Sequence, residues 1–557
     1  MKKRILMVTE SSTTMSGYGT YTKEVLSRLH KMGKYEIAEL AGYANLQTPG
    51  IRDVPWKVYP NHLNPTIPDE RHQILNSQPI NQFGAWRFER VCLDFKPDIV
   101  FDIRDPWMLM FENQSPLRKY FHWAIMPTVD SAPQQEEWID HFTLADKVFT
   151  YSDWGMEVLK KQGGGLINIT CSAPPGVDEK VFKPHVNKFE HKRSLGFDPN
   201  TFIVGTVMRN QRRKLFPNLL NAFKLYLDLC MKNGNKELAQ NSFLYFHTGY
   251  PDVVGCWNMP RILKESGISH KVLWTYICRN CRNISISVFQ DGRTVCPNCQ
   301  NVAAMLPTVS DGLSREQLAD IINLFDVYAQ YATCEGFGMP QVEAAACGVP
   351  VFATDYSAMS DVVRKLNGYP IRVAKMERIV EEDAYKALPD DDDMAEKLYK
   401  FATLSPSERR KKGEAARKGV EEHYLWDQTA QIWADHFDSV VLKDKQGQWN
   451  APMDIIHFKA DLNNPPQIPS NEDFVQWAIV HSIGPEYLNS LMALDMVRAL
   501  NYEMIVGLKD RERYTRKHVT DKLQAMVNNH NQCEQVRCGV IPLYTEDYLE
   551  FANRKRK

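Results

Sequence analysis

Two glutamates bracket the stretch of this chain best suited to chemistry. In Cys334-Glu335-Gly336-Phe337-Gly338-Met339-Pro340-Gln341-Val342-Glu343-Ala344-Ala345-Ala346-Cys347-Gly348-Val349-Pro350-Val351, a Gly-Phe-Gly turn follows a strand pattern and opens a helix. Gly336 and Gly338 let backbone approach a ligand, and the free N–H groups of the helix start donate to sugar or phosphate oxygens. Glu335 lies in the loop and Glu343 about two turns further on, so both carboxylates are expected to face one cleft. That geometry suits gripping a nucleotide sugar. A capped helix with a solvated glutamate is the ordinary meaning of Glu-x7-Glu alone; the Gly-Phe-Gly, Met-Pro and Ala-Cys-Gly-Val-Pro-Val around it argue against chance.

Three further groups of residues offer chemistry. Arg209 and Lys214 follow the strand pattern Phe202 to Val207, in Met208-Arg209-Asn210-Gln211-Arg212-Arg213-Lys214. Alone, such a basic run is usually a solvated patch, but the end of a strand is where cations can meet a departing diphosphate, whose charge grows in the transition state. Ser16-Gly17-Tyr18-Gly19-Thr20-Tyr21 leads into a helix whose N-terminus can face phosphate, although a lone Gly-x-Gly more often just turns the chain. Cys278-x2-Cys281 and Cys296-x2-Cys299 are two knuckles fourteen residues apart. Four thiolates at that spacing close a tetrahedral site, so Cys278, Cys281, Cys296 and Cys299 are expected to bind one structural zinc in a ribbon, with Ser285 to Phe289 a strand. A redox reading of each pair is open but less favoured by the turn chemistry between them. Cys533 and Cys538 read as ordinary thiols.

The elements that must position these residues follow an α/β pattern. A short strand at residues 4 to 9, a Ser/Thr/Gly loop and a helix from Tyr21 to Lys31 open a doubly wound unit. Strand patterns at Asp98 to Phe101, Phe121 to Met126 and Lys147 to Tyr151 continue it. A second series runs through Phe202 to Val207, Phe243 to Phe246, Val272 to Trp274, Val327 to Ala329 and Val351 to Ala353. Two such series predict two Rossmann-like domains facing a cleft, over 1–180 and 186–440, with a zinc-ribbon insert at 276–302 and a mostly helical extension at 441–557. The prolines and glycine of Pro174 to Pro184 mark the linker. The acidic run Asp390 to Asp393 reads as a helix N-terminus.

At 557 residues the chain holds about three to four domain-sized units. Lysine plus arginine (67) balance aspartate plus glutamate (68), so no global field announces nucleic acid or membrane. The start is too short in apolar residues for a signal peptide, and no run approaches the roughly 20 needed to span a bilayer. The expected location is the cytoplasm, with reduced thiols.

The Glu-x7-Glu stretch, the Arg209 to Lys214 loop, the Gly-x-Gly loop and Pro175-Gly176-Val177-Asp178 together resemble the family 4 glycosyltransferases of GT-B fold over about residues 1 to 440. The resemblance implies an enzyme that transfers a sugar from a nucleotide-diphosphate sugar to a hydroxyl acceptor with retention of configuration. It implies that Glu343 binds the ribose, that Glu335 and the Gly336-Phe337-Gly338 backbone meet the donor sugar, and that Arg209 and Lys214 hold the diphosphate beside Gly17 and Gly19. Leu215 departs from the family's glycine there. Asp130 falls about where relatives often carry a histidine near the reacting centre, which makes it a catalytic candidate beside Glu335; a turn cap is its alternative role. The ribbon with Arg279, Arg282 and Arg293, and the tail Arg554-Lys555-Arg556-Lys557, extend the acceptor candidates to hydroxymethylated bases in DNA, as some phage glycosyltransferases use. Family members more commonly glycosylate carbohydrates, lipids or small molecules. The competing class is a zinc-ribbon nucleic-acid-binding protein that keeps the GT-B fold as scaffold.

Overall fold

The computed structural model describes residues 2–308, 311–442, 447–457, 471–484, 496, 511–543 and 552–553. The tail Arg554 to Lys557 and the irregular connection around Asn463 to Pro466 lie outside them.

In the first domain, β1 (Lys3–Glu10), β2 (Tyr35–Gly42), β3 (Lys57–Pro60), β4 (Ile99–Asp102), β5 (His122–Ile125) and β6 (Lys147–Val148) make a parallel sheet in the order β3-β2-β1-β4-β5-β6. Ile5 to Val8 are buried on both faces, as a strand covered by helices on each side requires. The strand expected over Lys147 to Tyr151 is shorter, because the chain turns at once into the helix Asp153–Gly163, capped by the Ser152 hydroxyl.

The second domain repeats the winding. Its strands are β7 (Phe202–Val207), β8 (Ser242–His247), β9 (Val272–Cys278), β10 (Ile284–Val288), β11 (Thr294–Val295), β12 (Val302–Met305), β13 (Val327–Gln330), β14 (Val351–Thr354) and β15 (Tyr369–Ile371). The parallel core runs β9-β8-β7-β13-β14-β15. The order reverses between β1 and β4 in one sheet and between β7 and β13 in the other. Crevices at such switch points are where ligands bind in open α/β sheets, and the loops that leave these four strands carry most of the candidate residues.

The helix Trp426–Ser439 returns to the first domain, where Trp433 Nε1 donates to the Tyr21 hydroxyl at 2.7 Å and Lys3 Nζ donates to Val440 O at 2.7 Å. A hairpin of β16 (Val373–Ile379) and β17 (Ala384–Pro389) also crosses, Tyr385 N donating to Ala132 O at 2.9 Å. In the extension, the helices Asn471–Ser482 and Arg511–Arg537 share a small core of Phe474, Val475, Ile479, Val519, Leu523 and Val527. Arg537 holds the extension together by donating to the carbonyls of Trp449 and Ala451 (3.0 and 2.8 Å), and the extension is tied to the first domain by Trp449 Nε1 donating to Pro97 O and Asn529 Nδ2 donating to Glu89 Oε1, both at 2.9 Å. Asp390 caps the helix Asp391–Ala402 through its side chain.

Candidate functional site

Adjacent strands β7 and β13 deliver two loops side by side, and backbone bonds stitch them together. Leu215 N donates to Tyr331 O at 3.0 Å and Thr333 N to Arg213 O at 2.9 Å, while Trp257 Nε1 holds Lys214 O at 2.7 Å. Leu215 is thus part of the stitch and buried. The consequence is that the Lys214 ammonium meets Glu335 Oε1 directly, with Lys214 6% and Glu335 5% exposed. Burial and the neighbouring Arg213 pull the Lys214 pKa well down, with Cys334 and Asp130 pulling the other way. Gln330 Nε2 donates to the same Oε1 at 2.7 Å, and Glu335 N donates to Ser357 Oγ at 3.0 Å. Arg213 stands 3.8 Å from Oε2. Arg209 does not join them. Its half-exposed guanidinium pairs with Asp252 at 2.8 Å.

The glycines fit their places for distinct reasons. Gly338 sits at φ 87°, in the left-handed region, where it starts the helix Met339–Ala346. A Cβ on Gly336 would lie 2.4 Å from Thr128 Cγ2 of the first domain, so the loop after β13 and the opposite wall touch here. Phe337 is buried against Tyr424. Glu343, half-buried on the helix, has its carboxyl pushed up to about 7 by burial, with Arg315 pulling the other way. Arg315 itself reaches Glu24 of the first domain at 2.8 Å.

The first-domain wall is built from the ends of β1, β4 and β5. Ser16 caps the helix Gly17–Met32, accepting from Gly19 N at 3.0 Å, and Gly17 is exposed opposite Met339, 3.9 Å from where its Cβ would be. The Tyr18 hydroxyl bonds both Asp105 Oδ1 and Thr128 Oγ1 at 2.7 Å. Burial raises the Asp105 pKa, with its own side-chain bonds to Tyr18 and Thr128 opposing it. Asp130 accepts from the Cys334 thiol at 3.3 Å across the cleft, a thiol that burial and Asp130 push up to about 12. Tyr18, Asp105, Thr128, Gln330 and Ser357 escaped the sequence reading. None lies in a metal or charge pattern, and their one signal is a position at or just past a strand end near a switch point.

In the ribbon, Cys278 Sγ and Cys299 Sγ are 3.6 Å apart, Cys281 Sγ and Cys296 Sγ 3.7 Å, and all four lie within 4.8 Å of one another. Tetrahedral ligands at about 2.3 Å from a metal stand about 3.8 Å apart, so the set fits a four-thiolate centre. The two knuckles are built alike: Arg282 and Gln300, each just after the second cysteine, have left-handed backbones (φ 59° and 60°) and donate N–H to Cys278 O and Cys296 O. Amide side chains of Asn280, Asn298 and Asn301 point at the sulfurs at 3.4 to 3.7 Å. The ribbon is not a separate appendage. Its first cysteine ends β9, which pairs with β8 in the main sheet and with β10 and β12 in the insert.

Residues 308–418, which begin just past the ribbon and include both glutamates, match the family model of glycosyl transferases group 1. The chain carries a glycosyltransferase domain. The fold is GT-B, similar to sucrose-phosphate synthase from Thermosynechococcus elongatus (TM-score 0.55, 14% identity, covering 79% of this chain and 100% of that one). It is similar also to Anabaena HepE in complex with UDP (TM-score 0.52, 13% identity, covering 79% and 100%) and to a glycosyltransferase from Rickettsia africae (TM-score 0.51, 15% identity, covering 80% and 100%). No curated protein sequence matches the chain. Among the described residues no helix is long and apolar enough to cross a membrane.

Proposed function

We propose that this glycosyltransferase moves a sugar from a nucleotide-diphosphate sugar to a hydroxyl acceptor with retention of configuration. The observation that carries the reading is the contact of Lys214 with Glu335 at the β7–β13 switch point, which sets a cation and a carboxylate side by side where a phosphate and a sugar hydroxyl would meet. In this reading Lys214, with Arg209 released from Asp252, holds the diphosphate. Glu335 and the Gly336-Phe337-Gly338 backbone meet the sugar, Glu343 binds the ribose, and the Gly17 to Gly19 helix start faces phosphate. The bond from the anomeric carbon to the phosphate oxygen breaks while the acceptor oxygen bonds to that carbon on the same face. The acceptor proton passes to the departing phosphate oxygen. Asp130, beside Cys334, lies on the acceptor side.

HepE is solved with UDP, with UDP and glucose, and with UDP-glucose, which favours a UDP-sugar as the first donor to try. For the acceptor, a carbohydrate or lipid is favoured over a DNA base. Arg279 and Arg282, the ribbon cations nearest the knuckles, both pair with Asp311 at the surface, so one carboxylate offsets part of their charge. The same contact weighs against a nucleic-acid-binding scaffold. The metal of the four-thiolate site is read as a structural zinc, and the location as cytoplasmic. The test is incubation with a panel of nucleotide sugars and with oligosaccharide, lipid and hydroxymethylated-DNA acceptors, followed by mass spectrometry. Hydrolysis or transfer from one donor supports the reading; no turnover of any donor, with no nucleotide binding, removes it.

A further inference from the structure

We propose that Gln330 is a positioning residue that gives the two oxygens of Glu335 different duties, one bonded to protein and one left for the donor sugar. This rests on the reading that Glu335 meets the sugar.

Gln330 ends β13, a strand whose other residues, Val327, Tyr328 and Ala329, are fully buried, and Gln330 is itself buried. An amide in such a place destabilises the fold unless both its ends are bonded. Both are. Gln330 Nε2 donates to Glu335 Oε1 at 2.7 Å, and Gln330 Oε1 lies 2.8 Å from the Tyr328 hydroxyl, which also stands 3.1 Å from Val207 O at the end of β7. An ionised carboxylate only accepts, so the amide must present its nitrogen to Glu335 and its oxygen to Tyr328. The carboxylate therefore fixes the orientation of the amide, and the Tyr328 hydroxyl supports it with its one proton, nearer to Gln330 Oε1 than to Val207 O.

Lys214 converges on the same Oε1. Two donors on one oxygen occupy its lone pairs, while among the described residues Oε2 accepts no hydrogen bond, Arg213 standing 3.8 Å away. The backbone of Glu335 is held by Ser357, so the carboxylate has little freedom beyond rotation about its own bonds. Gln330 resists that rotation. Without it, Lys214 can straddle both oxygens, and the oxygen meant for a sugar hydroxyl is lost to the ion pair. Gln330 touches neither phosphate nor sugar in this account; it acts through Glu335.

The experiment compares the affinity for a nucleotide sugar with that for its nucleoside diphosphate, which lacks the sugar. Calorimetry with UDP and UDP-glucose, and with GDP and GDP-mannose, identifies the pair that binds the unaltered protein. Gln330→Met, similar in volume and without a donor, is expected to weaken nucleotide-sugar binding about tenfold, with nucleoside diphosphate binding unchanged within twofold. Tyr328→Phe, which leaves the amide in place and only frees it to turn, is expected to give a smaller loss in the same direction and serves if the first variant does not fold. Equal losses for both ligands, or an unchanged ratio in the two variants, would overturn the assignment and leave Gln330 a packing residue. Glu335→Gln separates this from the reading beneath it. If Glu335→Gln keeps the full preference for the sugar-bearing ligand, that reading falls and takes the inference with it; if Glu335→Gln loses it and Gln330→Met does not, the inference alone falls.

Discussion

The Lys214 ammonium and the Glu335 carboxylate are in contact inside the second domain, one from the loop after β7 and the other from the loop after β13. Removing one partner of a buried pair leaves an uncompensated charge, which costs about 3–5 kcal/mol. Glu335→Ala should therefore lower the melting temperature as well as abolish transfer. Lys214→Met combined with Glu335→Leu should recover much of the stability, because an apolar pair replaces the ionic one, yet remain inactive. A stable, fully active double variant would show that the pair serves the fold alone.

Arg209 and Asp252 make a second pair, half-exposed on the arginine side, and the competition between Asp252 and a diphosphate decides what Arg209 does. Arg209→Ala should weaken nucleoside diphosphate binding about tenfold, the loss of one charge-assisted contact. Asp252→Asn should strengthen it by a smaller factor, since exposed pairs hold weakly. Unchanged affinity in both variants would place the phosphate contacts on Arg213 and Lys214 only.

The four-cysteine site should carry about one zinc per chain when the protein is purified without added metal. Cys296→Ser with Cys299→Ser should lose it. Because β9 is shared with the main sheet, chelation should raise hydrogen exchange in β10 to β12 while β7 and β8 stay protected. It should impair acceptor use more than donor hydrolysis. Full metal content in the double variant would refute the site.

Glu343 titrates near neutrality, its carboxyl pushed up to about 7 from an ordinary 4.5. Between those values the folded protein keeps a proton that the unfolded chain has released, so the contribution of this group to stability is complete at low pH and is lost as pH rises toward 7. Ribose hydroxyls bond the ionised form more strongly. Donor affinity should consequently rise as pH increases through about 7, and Glu343→Gln should flatten that dependence. A pH profile identical in the variant would mean that Glu343 does not meet the donor.

What this sequence determined by itself is what local pattern can encode. Apolar runs at strand spacing marked β1 and β7, Ser16 and Ser152 sit where helix caps belong, and two Cys-x2-Cys knuckles specify a four-thiolate cluster because each knuckle fixes its own turn. The strand β2 was hidden for the opposite reason: Glu39 interrupts its apolar run, yet is fully buried because Ser12 and Trp56 donate to its carboxylate from outside the strand. Only the tertiary structure decided which cation reaches Glu335. Arg209 and Lys214 look equivalent along the chain, but the stitching of Arg213 and Leu215 to Thr333 and Tyr331 turns Lys214 inward and leaves Arg209 at the surface with Asp252. Side chains such as Gln330 and Tyr18 acquire partners only when strands distant in sequence become neighbours in a sheet or domains close on each other. Their contacts depend on strand order and domain approach, which no local spacing records.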